Sequence, residues 1–137
     1  HFVTLFYGEL TDDRNGLVIY ANCGHNNPIL YRAATGTTEF LETTGQIMGP
    51  FPGEVFKTEN FLMNGGDVLF LYTDGVSEAM DQQEQFYGEE RIRQMLCKHY
   101  ALSAKAITHT VLEDVQKFSS QGPHSDDKTI VTIKRSH

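Results

Sequence analysis

Val68-Leu69-Phe70-Leu71-Tyr72-Thr73-Asp74-Gly75 decides how this chain is read. Five apolar residues run without a break, and a short uninterrupted run of this kind reads as a buried strand. The Asp-Gly that follows marks where the strand stops and the chain turns. Asp74 therefore stands as a carboxylate at the mouth of a core strand. Desolvating a carboxylate without a partner is costly, so backbone amides, a cation or a metal are the partners to look for.

Working outward, Asn64-Gly65-Gly66-Asp67 is a turn feeding this strand. Val55 to Phe61 alternates weakly, as an exposed or edge strand does. Thr44 to Gly53 holds three glycines and two prolines and reads as loop. Before it, Phe2-Val3-Thr4-Leu5-Phe6-Tyr7 is β-rich and mostly apolar, which predicts an interior strand. Asp12-Asp13-Arg14-Asn15-Gly16 is turn chemistry, and Leu17 to Asn22 is the returning strand. Cys23-Gly24-His25-Asn26-Asn27-Pro28 breaks it; Ile29-Leu30-Tyr31-Arg32 and Thr38-Glu39-Phe40-Leu41 follow as short strands. Beyond Asp74 the texture changes. Ile92, Met95, Leu96 and His99 fall on one helical face. Ser103 is an N-cap for a second helix running to about Phe118, with Ile107, Val111 and Val115 on its apolar stripe. Lys128 to Lys134 alternates as a last strand. Strands and helices segregate, which predicts an α+β fold with antiparallel sheet.

The totals bound the function. With 137 residues, 39% hydrophobic and 21% charged, the chain is sized and composed as one globular domain. Roughly two-thirds of its unfolded surface can be buried, so disulfide staples are unnecessary. Its two cysteines, Cys23 and Cys97, are expected to be reduced, in a soluble cytoplasmic protein. The formal charge of −7 argues against nucleic acid and against an anionic membrane surface. No apolar stretch approaches the ~20 residues of a membrane helix.

Two acidic sites share one local grammar: Asp74 follows a strand, and Asp126-Asp127 precedes one. Strand ends gather at the rim of a sheet, where carboxylates distant in sequence can meet. Hard divalent cations take oxygen ligands, but Asp-Gly turns and Asp-Asp loops are also common without any metal. His25 lies close to Cys23, yet a reactive cysteine needs an electropositive setting, and no lysine or arginine follows until Arg32. A histidine bracing a tight loop is the preferred reading. Gly45-Gln46-Ile47-Met48-Gly49-Pro50 lacks the lysine of a phosphate-cradling loop. Glu78, Glu84, Glu89 and Glu90 read as a solvated acidic surface around a helix start.

Taken in order, five blocks resemble a known family. They are Phe2-Val3-Thr4-Leu5, Tyr20 to Pro28, Gly66 to Ala79 (around Tyr72-Thr73-Asp74-Gly75), Phe86-Tyr87-Gly88-Glu89-Glu90-Arg91, and Asp126-Asp127-Lys128-Thr129. Together they resemble the C-terminal part of a bacterial PPM-type metal-dependent serine/threonine phosphatase of the SpoIIE/RsbU class. The resemblance implies an antiparallel β-sandwich flanked by helices and a binuclear Mn²⁺ or Mg²⁺ site. It implies hydrolysis of phosphoserine or phosphothreonine by metal-activated water. Asp74 corresponds to the metal ligand of the Thr-Asp-Gly motif and Asp126 to the later ligand, with Asp127 and Gly75 as accessories. Asn22, Gly24 and His25 match a segment taken as structural bracing near the site.

The resemblance further implies a regulatory phosphoprotein substrate, an anti-sigma-factor antagonist of the STAS type, and an upstream sensor or response-regulator domain. Cys23 replaces the family's usual alanine, and Asn27 is inserted before the proline. The family's N-terminal strands, with two further metal-binding aspartates, have no counterpart, and Asp12 and Asp13, in a hairpin turn, do not replace them. Residues 1–137 are thus expected to be a partial domain, the C-terminal portion of the catalytic domain, holding half of the metal shell. Alone, it is expected to bind Mn²⁺ weakly, to turn over little, and to satisfy an open sheet edge by forming a homodimer. The competing expectation is a non-catalytic pseudophosphatase that docks a signalling partner.

Overall fold

The computed structural model describes residues 3–11, 14–49, 52–53, 55–123 and 126–136. The expected Asp12-Asp13 turn, and His1, His124 and His137, lie outside them. Among the described residues, seven strands form two antiparallel sheets. Leu5–Leu10 (β1), Leu17–Cys23 (β2) and Glu59–Leu62 (β5) pair in the order β1-β2-β5. Ile29–Arg32 (β3), Thr37–Phe40 (β4), Val68–Tyr72 (β6) and Ile130–Lys134 (β7) pair in the order β4-β3-β6-β7. Three helices lie between β6 and β7: Asp74–Ser77 (α1), Glu89–His99 (α2) and Ala104–Ser119 (α3). This is the expected α+β sandwich with flanking helices.

The position of β6 explains its unbroken apolar run. Val68, Phe70 and Tyr72 face one way and join Ile92, Leu96, Ile107, Val111 and Val115 of the helices. Leu69 and Leu71 face the other way, against Val18, Tyr20 and Met63 of the three-stranded side. A strand covered on both faces has no position for a polar residue. Each fully buried Val, Leu or Phe contributes roughly 1.5–3 kcal/mol, so β6 is anchored from both sides. Pairing with β7 sets Tyr72 opposite Ile130 and Phe70 opposite Thr132.

The helices follow their sequence signals. Ile92 and Leu96 are the buried face of α2. Ser103 caps α3, its hydroxyl accepting from the Ala106 amide at 3.2 Å, which relieves one unpaired donor of the first turn. Asp67, 1% exposed, braces the turn before β6. Its carboxylate accepts from the Ala33 amide (2.9 Å), the Asn64 amide (2.8 Å) and Arg32 (3.1 Å).

Two expectations change. The first strand is not interior: β1 is an edge pairing only with β2, and Leu5 and Tyr7 are 43% and 56% exposed. The weakly alternating segment forms its strand later than read, at Glu59–Leu62, though on the edge as expected. Cys23 is buried, Cys97 is exposed, and the two form no disulfide. Among the described residues, no helix is long and apolar enough to cross a membrane.

Candidate metal centre

Asp74 is the first residue of the one-turn helix that caps β6. Gly75, Val76 and Ser77 are buried behind it, while Asp74 itself is exposed. The Asp126–Asp127 segment can approach this turn closely because position 75 has no side chain. A Cβ there would lie 1.9 Å from the Asp127 carbonyl oxygen and 3.2 Å from that of Asp126. The acidic loop thus lies directly on Gly75. Two reciprocal hydrogen bonds fix the contact: the Thr73 amide donates to the Thr129 carbonyl (3.1 Å), and the Thr129 amide to the Thr73 hydroxyl (3.0 Å).

The consequence is that Asp74 and Asp126 line one cleft of about 160 Å³, together with Glu78 and Phe86. One Asp126 oxygen accepts from the Asp127 amide at 2.8 Å, and Asp127 is exposed outside this lining. A larger cleft of about 460 Å³ adjoins it, bordered by Gly24, His25, Asn27, Asp74, Glu78 and Glu89. The His25 loop and the Asp74 turn therefore meet at one rim.

Asn22 organises the His25 loop. It is fully buried; its side-chain amide donates to Asn27 Oδ1 (3.1 Å) and the Leu41 carbonyl (3.2 Å), and its Oδ1 accepts from the His25 amide (2.9 Å). Its backbone amide donates to Thr44 Oγ1, and its carbonyl accepts from the Thr44 amide. Gly24 adopts φ +74° with Ile47 pressed against it, so no side chain fits there. Cys23 is buried in β2 and takes no place in the lining of the larger cleft.

Glu78 and Glu89 were read from the sequence as solvated surface, yet both border the larger cleft with Asp74. The Glu78 position was open to inference, since it lies one helical turn beyond Asp74. Glu89 is brought in by tertiary structure: the buried Tyr72 hydroxyl donates to its Oε1 at 3.0 Å. Burial, the Glu89 hydrogen bond and the nearby Glu89 and Asp74 charges raise the Tyr72 hydroxyl well above its ordinary 10.0. Tyr87 is raised likewise, by burial and by its 2.6 Å hydrogen bond to Asp114.

These tyrosines predict an alkaline limit to stability. The unfolded chain ionises them near pH 10.0, while the fold holds them neutral to higher pH. Their contribution is complete below that value and is lost as pH rises through the folded value. The urea midpoint should fall steadily above pH 10.0, and the pair Tyr72→Phe with Tyr87→Phe should flatten that fall. A wild-type midpoint that stays level above that pH would contradict it.

Carboxylate oxygens are the donors that Mn²⁺ and Mg²⁺ take. Asp74 and Asp126 present such oxygens to one cleft. Among the described residues, no group of three or more His, Cys, Asp or Glu is arranged to hold one.

The family model described as Stage II sporulation protein E (SpoIIE) matches residues 1–136. The chain belongs to the SpoIIE family. It is a SpoIIE/RsbU-like, PPM-type region, as its motifs suggested. Over 134 residues it is 28% identical to Protein IcfG of Synechocystis sp. and 25% identical to phosphoserine phosphatase RsbU of Bacillus subtilis. Each match covers 98% of the chain, but only 21% and 39% of those relatives, so the SpoIIE-family chain spans well under half of either. Its fold matches the phosphatase domain of the cell fate determinant SpoIIE from Bacillus subtilis (Mn presoaked). The TM-score is 0.68 at 17% identity, over 98% of this chain and 57% of that one.

Proposed function

We propose that residues 1–137 are the C-terminal portion of a metal-dependent phosphoserine/phosphothreonine protein phosphatase domain, with Asp74 and Asp126 as two of its metal ligands. The observation that carries this reading is that both carboxylates line one cleft, in a chain matched by the SpoIIE family model. Phosphoserine phosphatase is the name of one relative, and a manganese-soaked phosphatase domain shares the fold.

The lining of the two clefts carries Asp74, Glu78, Glu89 and Asp126 and, among the described residues, no lysine or arginine. A phosphate monoester is repelled by such a surface until cations offset its charge. Bound Mn²⁺ or Mg²⁺, two ions in the complete domain, would supply Lewis acidity and a water acidic enough to attack phosphorus. Asp74 and Asp126 hold positive charge at the rim, with Asp127 and Gly75 shaping the loop between them. Asn22, Gly24 and His25 set the opposite wall. The remaining ligands come from chain beyond these residues. A STAS-type anti-anti-sigma factor is the substrate class this reading favours, an upstream sensor or response-regulator domain its input, and the cytoplasm its compartment. A docking module without catalysis would leave the paired carboxylates without a use.

The test compares the full protein with the 137-residue chain on p-nitrophenyl phosphate. The full protein should turn over with Mn²⁺, stop with EDTA and recover on Mn²⁺ addition, while the chain alone does little. Turnover that ignores EDTA, or a chain as active as the full protein, would refute the reading.

A further inference from the structure

Phe86 stands apart from the other cleft residues. It lines both the larger cleft and the smaller one, so it lies where the surfaces bordering Asp74 and Asp126 meet. It is 52% exposed, whereas its neighbour Tyr87 is buried. A single exposed aromatic residue is ordinary on a protein surface. What sets this one apart is the rigidity of its support.

The turn from Met80 to Phe86 closes in an antiparallel bridge between those two residues. Inside it the Asp81 amide donates to the Gln85 carbonyl (3.0 Å), and the Glu84 amide to the Asp81 carbonyl (3.1 Å). The Asp81 carboxylate accepts from the Gln83 and Gln85 amides, each at 2.9 Å. Glu84 takes φ 59°, a conformation that side chains adopt reluctantly. On the far side, the Tyr87 amide donates to the Ala79 carbonyl (2.7 Å) and the Gly88 amide to the Ser77 carbonyl (2.8 Å). From behind, Gly122 lies so close to the Met80 carbonyl that a Cβ there would come within 2.1 Å of it. The backbone that carries Phe86 is therefore held at the cleft by a hydrogen-bonded turn. A rigid aromatic ring offers contact area at low conformational cost.

We propose that Phe86 is a specificity-determining contact, an apolar platform for the polypeptide segment flanking the phosphorylated residue. This rests on the phosphatase reading above. An extended chain advances about 3.3–3.6 Å per residue, so with phosphate at the Asp74–Asp126 cleft, which Phe86 also lines, residues one or two positions away come within reach of its side chain. The lining otherwise offers these residues mainly carboxylates and small polar groups, so apolar flanking side chains gain most from it. Phe86 thereby favours substrates with leucine-like residues beside the phosphoserine.

The test uses the full protein with Mn²⁺ and two phosphoserine heptapeptides, one with leucine on both sides of the phosphoserine and one with glycine. The wild type should prefer the leucine peptide about tenfold in kcat/KM, carried mainly by KM. Phe86→Ala should bring the two peptides within about twofold, and Phe86→Leu should retain most of the preference. Melting temperatures are measured alongside, so that a loss of preference in a folded variant is assigned to the ring. A wild type without preference, or a preference that survives Phe86→Ala, overturns the platform while leaving the phosphatase reading intact. A wild type that hydrolyses neither peptide, nor p-nitrophenyl phosphate, defeats the phosphatase reading and the platform with it.

Discussion

In the full protein, Asp74→Asn should lower Mn²⁺-dependent turnover of p-nitrophenyl phosphate by roughly 100- to 1,000-fold. The melting temperature should barely move. The first half follows from charge: an amide keeps the shape of the carboxylate but gives up the negative charge that holds a cation at the rim. The second half follows from exposure. Asp74 is exposed, and its carboxylate takes no hydrogen bond among those of the described residues. Substitutions at such sites usually stay within about 0.5 kcal/mol. Asp67 marks the contrast, a carboxylate with three partners and almost no exposure. Kinetics and calorimetry on one preparation decide the matter. A variant that melts early and keeps its specific activity would make Asp74 a structural residue and remove it from the site.

Gly75→Ala should do what Asp74→Asn does not, and lower activity and stability together. Its Cβ would sit 1.9 Å from the Asp127 carbonyl oxygen and 2.7 Å from the carbonyl carbon. Those are backbone atoms, which cannot swing aside as the end of a flexible side chain can. Either the Asp126–Asp127 segment is pushed off α1, or α1 is pushed off the end of β6. Overpacking of this severity costs about 3 kcal/mol, which corresponds to a loss of about 10 °C in melting temperature for a domain of this size. Displacement of Asp126 from Asp74 should also weaken Mn²⁺ dependence, seen as a rightward shift of the activation curve. A Gly75→Ala protein that melts with the wild type would show that the acidic loop does not rest on α1.

The elements that could be read from sequence are those whose local pattern agrees with their surroundings. The run from Val68 to Tyr72 is apolar throughout because both of its faces are covered. Ser103 announces α3 because a cap needs only its own helix. The first strand misled because an apolar, aromatic-rich stretch reads alike in an interior strand and in an exposed edge strand. The meeting of Asp74 with Asp126 could not come from spacing. It depends on β7 returning beside β6 and on the Thr73–Thr129 pair, and the family resemblance supplied it first. Glu89 and Phe86, though in one of the family blocks, were given no place at the site for a similar reason. Their place at the cleft is set by the Tyr72 hydroxyl and by the turn closing at Met80, neither of which leaves a periodic trace.

The grip on β6 from both layers gives the two acidic residues unequal roles. Asp74 follows directly on a strand wedged between helices and the facing sheet, so it behaves as a fixed post. Asp126 belongs to the connection leading into β7, lying on Gly75 and tethered at the Thr73–Thr129 clasp, so it behaves as an arm braced against the post. Ordering a residue costs about 1–2 kcal/mol of conformational entropy. The core meets that cost for the post, and the Gly75 contact with the Thr73–Thr129 clasp meets it for the arm. On the proposed reading, affinity for a cation is then tuned by changing the arm alone, without disturbing the strand that places the post.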